Sequence, residues 1–88
     1  MEWNKEFLKV KIIGKLVQWN KWGGAHTENI LGGIPRSMRG NKITKEAIKE
    51  LIQDNWLIAS VKTQEIHFSL NPEKVSEILE FYERNKEE

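Results

Sequence analysis

The segment TENILGGIPRSMRGNKITKEAIKELIQDNWLIASVKTQEIHFSL, from Thr27 to Leu70, decides how this chain is read. Thr27 is a good N-cap, with Glu28 in the first turn, for a short helix bounded by Gly32-Gly33 and Pro35. Ile30, Leu31 and Ile34 are its expected contribution to the core. A turn rich in arginine follows, and the stretch from Arg36 to Lys45 holds four basic residues and no acidic one. Thr44 is then placed to cap a second helix reaching Asp54, with Ala47, Ile48, Leu51 and Ile52 as the buried stripe. Lys45, Glu46, Lys49, Glu50 and Gln53 form its outer face. Asn55 fits the end of that helix, because asparagine tolerates the left-handed conformation. Two short strands are predicted next, Leu57 to Val61 and Glu65 to Leu70. In the second, Ile66, Phe68 and Leu70 alternate inward while Glu65, His67 and Ser69 point outward. Trp56 is expected to be buried between the end of the helix and that strand.

Outside this segment, Leu8, Ile12, Leu16 and Trp19 lie on one stripe at spacings of four and three, flanked by Val10, Ile13 and Val17. The pattern predicts a central core helix from about Lys5 to Trp19. Gly14 within it costs roughly 1 kcal/mol of helix propensity relative to alanine, which a close helix approach at that point would explain. Trp22-Gly-Gly24 is expected to end the element, since glycines permit positive φ. Asn71-Pro72-Glu73 marks another helix start, combining a cap, a first-position proline and an acid near the positive end of the dipole. That helix, about 72 to 84, carries Val75, Ile78, Leu79 and Tyr82 on one stripe with Phe81 beside it.

The 88 residues form one domain with a modest core, and no linker or repeat marks a second. Without cysteine there are no disulfides, thiolate metal sites or cysteine nucleophiles. The longest apolar run, Trp56 to Ala59, is far too short for a membrane span, and the first residues lack the apolar core of a secretory signal. A soluble, cytoplasmic protein is expected. The net charge of +1 hides a division. Residues 1 to 72 hold eleven Lys/Arg and seven Asp/Glu, while residues 73 to 88 hold three and six, so the C-terminal tail is unsuited to phosphate.

The order helix, basic turn, helix, two strands resembles the winged helix-turn-helix superfamily over most of the chain. The resemblance is carried by Thr27-Glu-Asn-Ile-Leu31 as first helix of the motif, Thr44-Lys-Glu-Ala-Ile-Lys-Glu-Leu51 as second, and Leu51-Ile-Gln-Asp-Asn-Trp-Leu-Ile58 running into the wing. Asn55-Trp56-Leu57 departs from the glycine and two aliphatics found there in many members. Trp22-Gly-Gly-Ala-His-Thr27, Gly33-Ile-Pro-Arg36, Arg39-Gly40 and Ser69-Leu-Asn-Pro72 further resemble small uncharacterised archaeal proteins of this fold. The resemblance implies an α+β fold of three helices, a hairpin wing and a C-terminal helix, with the helix-turn-helix at about 27–54 and the wing at about 57–70. It also implies transcription-regulator-like binding of double-stranded DNA.

Basic side chains and helix N-termini bind phosphate, so Arg36, Arg39, Lys42 and Lys45 are the first candidates. Lys49 and Gln53 on the second helix and Lys62 in the wing extend the set. Glu46 and Glu50 share the outer face and oppose it, because carboxylates repel phosphates. Lys5, Lys9, Lys11 and Lys15 could add backbone contacts. Trp19 and Trp56 sit in apolar runs and are read as core rather than as stacking surfaces, with Trp3 and Trp22 left open. His26 and His67 lack paired-ligand spacing, so no metal is expected, and no cofactor, small-molecule ligand or enzymatic constellation is evident. Ile78, Phe81 and Tyr82 could pair the last helix with a symmetry mate as a homodimer. A protein-interaction module or assembly subunit that does not touch DNA is the alternative function.

Overall fold

A computed structural model describes residues 4–23, 34–62 and 65–85. Among them are helices α1 (Lys5–Gln18), α2 (Arg36–Arg39), α3 (Lys42–Gln53) and α4 (Val75–Asn85), and strands β1 (Leu57–Lys62) and β2 (Glu65–Leu70). A 3-10 turn at Pro72–Lys74 leads into α4. The architecture is α+β, with four helices and one antiparallel hairpin. The short helix predicted at Thr27 to Leu31 lies outside the described residues.

The central helix reads directly from its sequence. Asn4 accepts from the Phe7 backbone N–H at 2.7 Å, capping α1. Leu8, Ile12, Ile13 and Leu16 are buried, and the helix packs against α3, α4 and β2. Its end differs from expectation. Asn20, at φ 57°, closes α1 with bonds from its own N–H to Val17 O and from the Lys21 N–H to Leu16 O. This paired pattern is the Schellman stop, so asparagine ends the helix ahead of the glycines. α3 ends the same way at Asn55, φ 64°, whose N–H reaches Ile52 O while the Trp56 N–H reaches Leu51 O.

Trp19 is not core. Because α1 ends at Gln18, its indole lies past the last buried turn and is 55% exposed. Gly14 is explained as expected: a Cβ there would sit 3.1 Å from Tyr82 Cε1, so α4 approaches α1 at this point.

The hairpin pairs Leu57 with Leu70 at its base and Lys62 with Glu65 at its tip. Leu70 also donates its N–H to Lys21 O at 2.8 Å and accepts from the Gly23 N–H at 3.0 Å, so residues after α1 extend the sheet by a single parallel bridge at Trp22. The alternation in β2 holds only near the base. Phe68 and Leu70 are buried as predicted, but Ile66 is 54% exposed and faces Val61, 78% exposed. Near the tip of the ribbon this apolar pair is exposed, whereas the pairs at its base are in the core. Ser69, expected outside, is fully buried next to the bridge from Trp22 to Leu70, and its hydroxyl has no hydrogen-bond partner among the described residues.

α4 starts as predicted, with Asn71 Oδ1 accepting from the Glu73 N–H and Pro72 in the first turn. Asn71 also donates to Asn55 O at 2.7 Å, tying the start of α4 to the stop of α3. Trp56 is half-buried where full burial was expected, and it packs against the core cluster that includes Phe68 and Leu70. Its ring also meets Phe81 edge-on, centroids 5.3 Å apart, and its Nε1 donates to Glu77, so it ties the end of α3 to α4.

Candidate functional site

The basic segment is a small helical device. Residues 36–39, read as a turn, form the one-turn helix α2, entered through Pro35. Thr44 is not the N-cap of α3. Asn41 fills that role, accepting from the Ile43 N–H at 2.9 Å, and α3 begins at Lys42. Thr44 lies fully buried inside the first turn, where its hydroxyl donates to Met38 O at 2.6 Å. Met38 O also accepts from the Asn41 N–H at 3.1 Å, so Thr44 adds a second tie between the end of α2 and the first turn of α3. Arg39 Nε donates to Ile34 O at 2.9 Å, which commits part of its guanidinium to holding the entry of α2.

On α3, successive residues are turned by about 100°. With Ala47, Leu51 and Thr44 at the core, Lys42, Lys49 and Gln53 lie within roughly 20° of the outward direction, and Lys45 lies about 60° to one side. These four are exposed, as is Arg36. Ile52, placed on the buried stripe by sequence, is exposed on the flank beside Lys45, and Ile48 is half-buried. The core contact of α3 is narrower than its apolar pattern.

The two acids behave differently. Glu50 is drawn to α1, where one carboxylate oxygen meets Lys5 Nζ and the other Lys9 Nζ, each at 2.6 Å. The hydrogen bond from Lys5, then that from Lys9, lower the Glu50 pKa from 4.5 to about 2. Hydrogen bonding to Glu50 reciprocally raises the Lys5 pKa, and the charge of nearby Glu46 adds to the rise. Glu46 is half-buried on the same flank. The expectation that both acids share the lysine face is corrected for Glu50, which is neutralised by α1 through bonds that also remove Lys5 and Lys9 from the free cations, whereas Glu46 lies only about 20° around α3 from Gln53 and stays beside the basic row. No spacing in the sequence links positions 41 to 45 residues apart, so these pairs were invisible before folding.

Lys62 ends β1 at the tip of the hairpin, and its side chain lies outside the described residues. Ile78 and Phe81, candidates for a dimer face, are buried in the core of the chain itself. Tyr82 is half-buried against Gly14 and accepts from Gln18 Nε2 at 3.1 Å. α4 therefore spends this stripe within its own chain, and Val75 and Leu79 are its exposed apolar residues. Among the described residues, no group of three or more His, Cys, Asp or Glu is placed to hold a metal ion, and no helix is long and apolar enough to cross a membrane. No protein-family model, curated protein or solved structure matches the chain.

Proposed function

We propose that the chain is a winged helix-turn-helix protein that binds double-stranded DNA through α2 and α3. The observation carrying this reading is the sorting of charge on α3, with Lys42, Lys45, Lys49 and Gln53 outward and Glu50 neutralised against α1. Arg36 adjoins this row from α2, and the start of a 12-residue helix adds its own positive end. Phosphates dock on such a surface because released counterions drive binding. Lys49 and Gln53, near the outward centre of the helix, are the side chains suited to base edges, and Arg36, Lys42 and Lys45 to backbone. The exposed Ile43 and Ile52 lie on opposite flanks of α3 instead of forming one patch, so the protein-interaction reading draws less support from this face.

Binding of random-sequence duplex at 50 and 200 mM salt tests the proposal. With the three phosphate contacts of Arg36, Lys42 and Lys45, log affinity should fall against log salt with a slope of about −2.7. Absence of binding at the lower salt overturns it.

A further inference from the structure

The outer surface of α1 carries a second pattern of chemistry. Phe7, Lys11, Lys15 and Trp19 follow one another at intervals of four, forming one row that winds slowly around the helix. The row pairs cations with rings at both ends: Lys11 Nζ stands 5.4 Å from the Phe7 centroid and Lys15 Nζ 5.2 Å from that of Trp19. From Phe7 to Lys21 there are four lysines and no acid. Lys9 is taken by Glu50, and Lys11 is exposed on the row. Trp19 is the most exposed aromatic among the described residues, at the end of a helix whose Leu8, Val10, Ile12, Ile13, Leu16 and Val17 belong to or pack against the core.

We infer that this row is a binding site for single-stranded nucleic acid, separate from the α2–α3 face. A ring beside an ammonium suits a ligand that alternates a flat apolar face with a negative charge. An unpaired strand has that alternation, whereas a duplex hides its base faces in the stack. Lys11 and Lys15 rise about 6 Å apart along the helix, a spacing comparable with that of successive phosphates on an extended strand. A base stacks on Trp19, the adjoining phosphates meet Lys15 and Lys11, and Phe7 closes the far end. An anionic membrane surface fits less well. Interfacial helices insert a broad apolar face, and that face of α1 is packed inside the domain.

The test is the anisotropy of a fluorescein-labelled 12-nucleotide oligothymidylate titrated with the whole chain at low salt. The wild type binds; Trp19→Ala weakens binding roughly 5- to 100-fold, and Trp19→Phe restores most of it. Lys11→Ala with Lys15→Ala lowers the magnitude of the salt slope by about 1.4. Lys42→Ala with Lys49→Ala leaves single-strand affinity within twofold of wild type, which separates this site from the duplex-binding face. Three results overturn the inference: no oligothymidylate binding by the wild type, equal binding by folded Trp19→Ala, or loss of binding in the α3 variant. Trp19-dependent binding to phosphatidylserine vesicles without oligothymidylate binding also overturns it, in favour of a lipid surface.

Discussion

α3 and α4 are built alike and face water differently. Each is an amphipathic helix of 11 or 12 residues that packs against α1 through a narrow stripe, Ala47 and Leu51 in one and Ile78 and Phe81 in the other. α3 turns Lys42, Lys45, Lys49 and Gln53 outward, whereas α4 and its leading turn expose Glu73, Glu77, Glu80 and Glu83. The apolar side fixes where a helix sits, and the opposite side decides what can approach it. The exposed carboxylates of α4 repel phosphate. The acids of α3 show how that difference is sharpened, since Glu50 is held at α1 between two lysines instead of beside the basic row.

The largest effects should come from breaking the shared apolar side. Phe81→Glu places an unpaired charge in the core of the chain, and the expected outcome is loss of the cooperative thermal transition in circular dichroism. A folded Phe81→Glu variant would show that α4 does not complete this core. Leu51→Ala, the counterpart in α3, should cost about 2 to 5 kcal/mol by urea denaturation. Trp56→Ala should cost less than a fully buried tryptophan, roughly 2 kcal/mol, because the indole is half-buried where it meets Phe81.

Smaller effects sharpen the comparison at the contacts of α1. Gly14→Ala gains about 1 kcal/mol of helix propensity but sets a Cβ 3.1 Å from the Tyr82 ring. In wild type the two should nearly offset. In a Tyr82→Ala background the gain should appear in full, and a double-mutant cycle measures the coupling; a zero coupling would deny the close approach of α4. On the other side of α1, Glu50 tests the ion pairs through pH. Its pKa is lowered from 4.5 to about 2, so its contribution is fully present above pH 4.5 and is lost as pH falls through about 2. Glu50→Gln should therefore lose less stability than wild type over that interval. Equal acid sensitivity would mean that the lysines hold no charged partner.

The parts legible in the sequence were those governed by local rules. The periodicity of α1 and α3, the asparagine stop at Asn55 and the Asn71-Pro72 start all follow from contacts within a few residues. Tertiary placement decided the rest. Thr44 was misread because a threonine hydroxyl near a helix start can serve that start or a neighbouring element, and here it reaches back to Met38 O. Ile66 was misread because alternation marks a face but not how far the core extends beneath it, and Trp19 because the helix stopped one residue earlier. For the candidate site, the basic residues were legible one by one, but the removal of Glu50 and of Lys5 and Lys9 depends on how α1 crosses α3.

In the proposed function, outward charge on α3, and not the net charge of the chain, drives the binding of phosphate. The direct measurement is the salt dependence of random-duplex affinity for two paired neutralisations. Lys42→Gln with Lys45→Gln should reduce the magnitude of the slope by about 1.8, whereas Glu73→Gln with Glu80→Gln on α4 should leave it unchanged. Equal changes for the two pairs, or an unaltered slope in the lysine variant, would contradict the account.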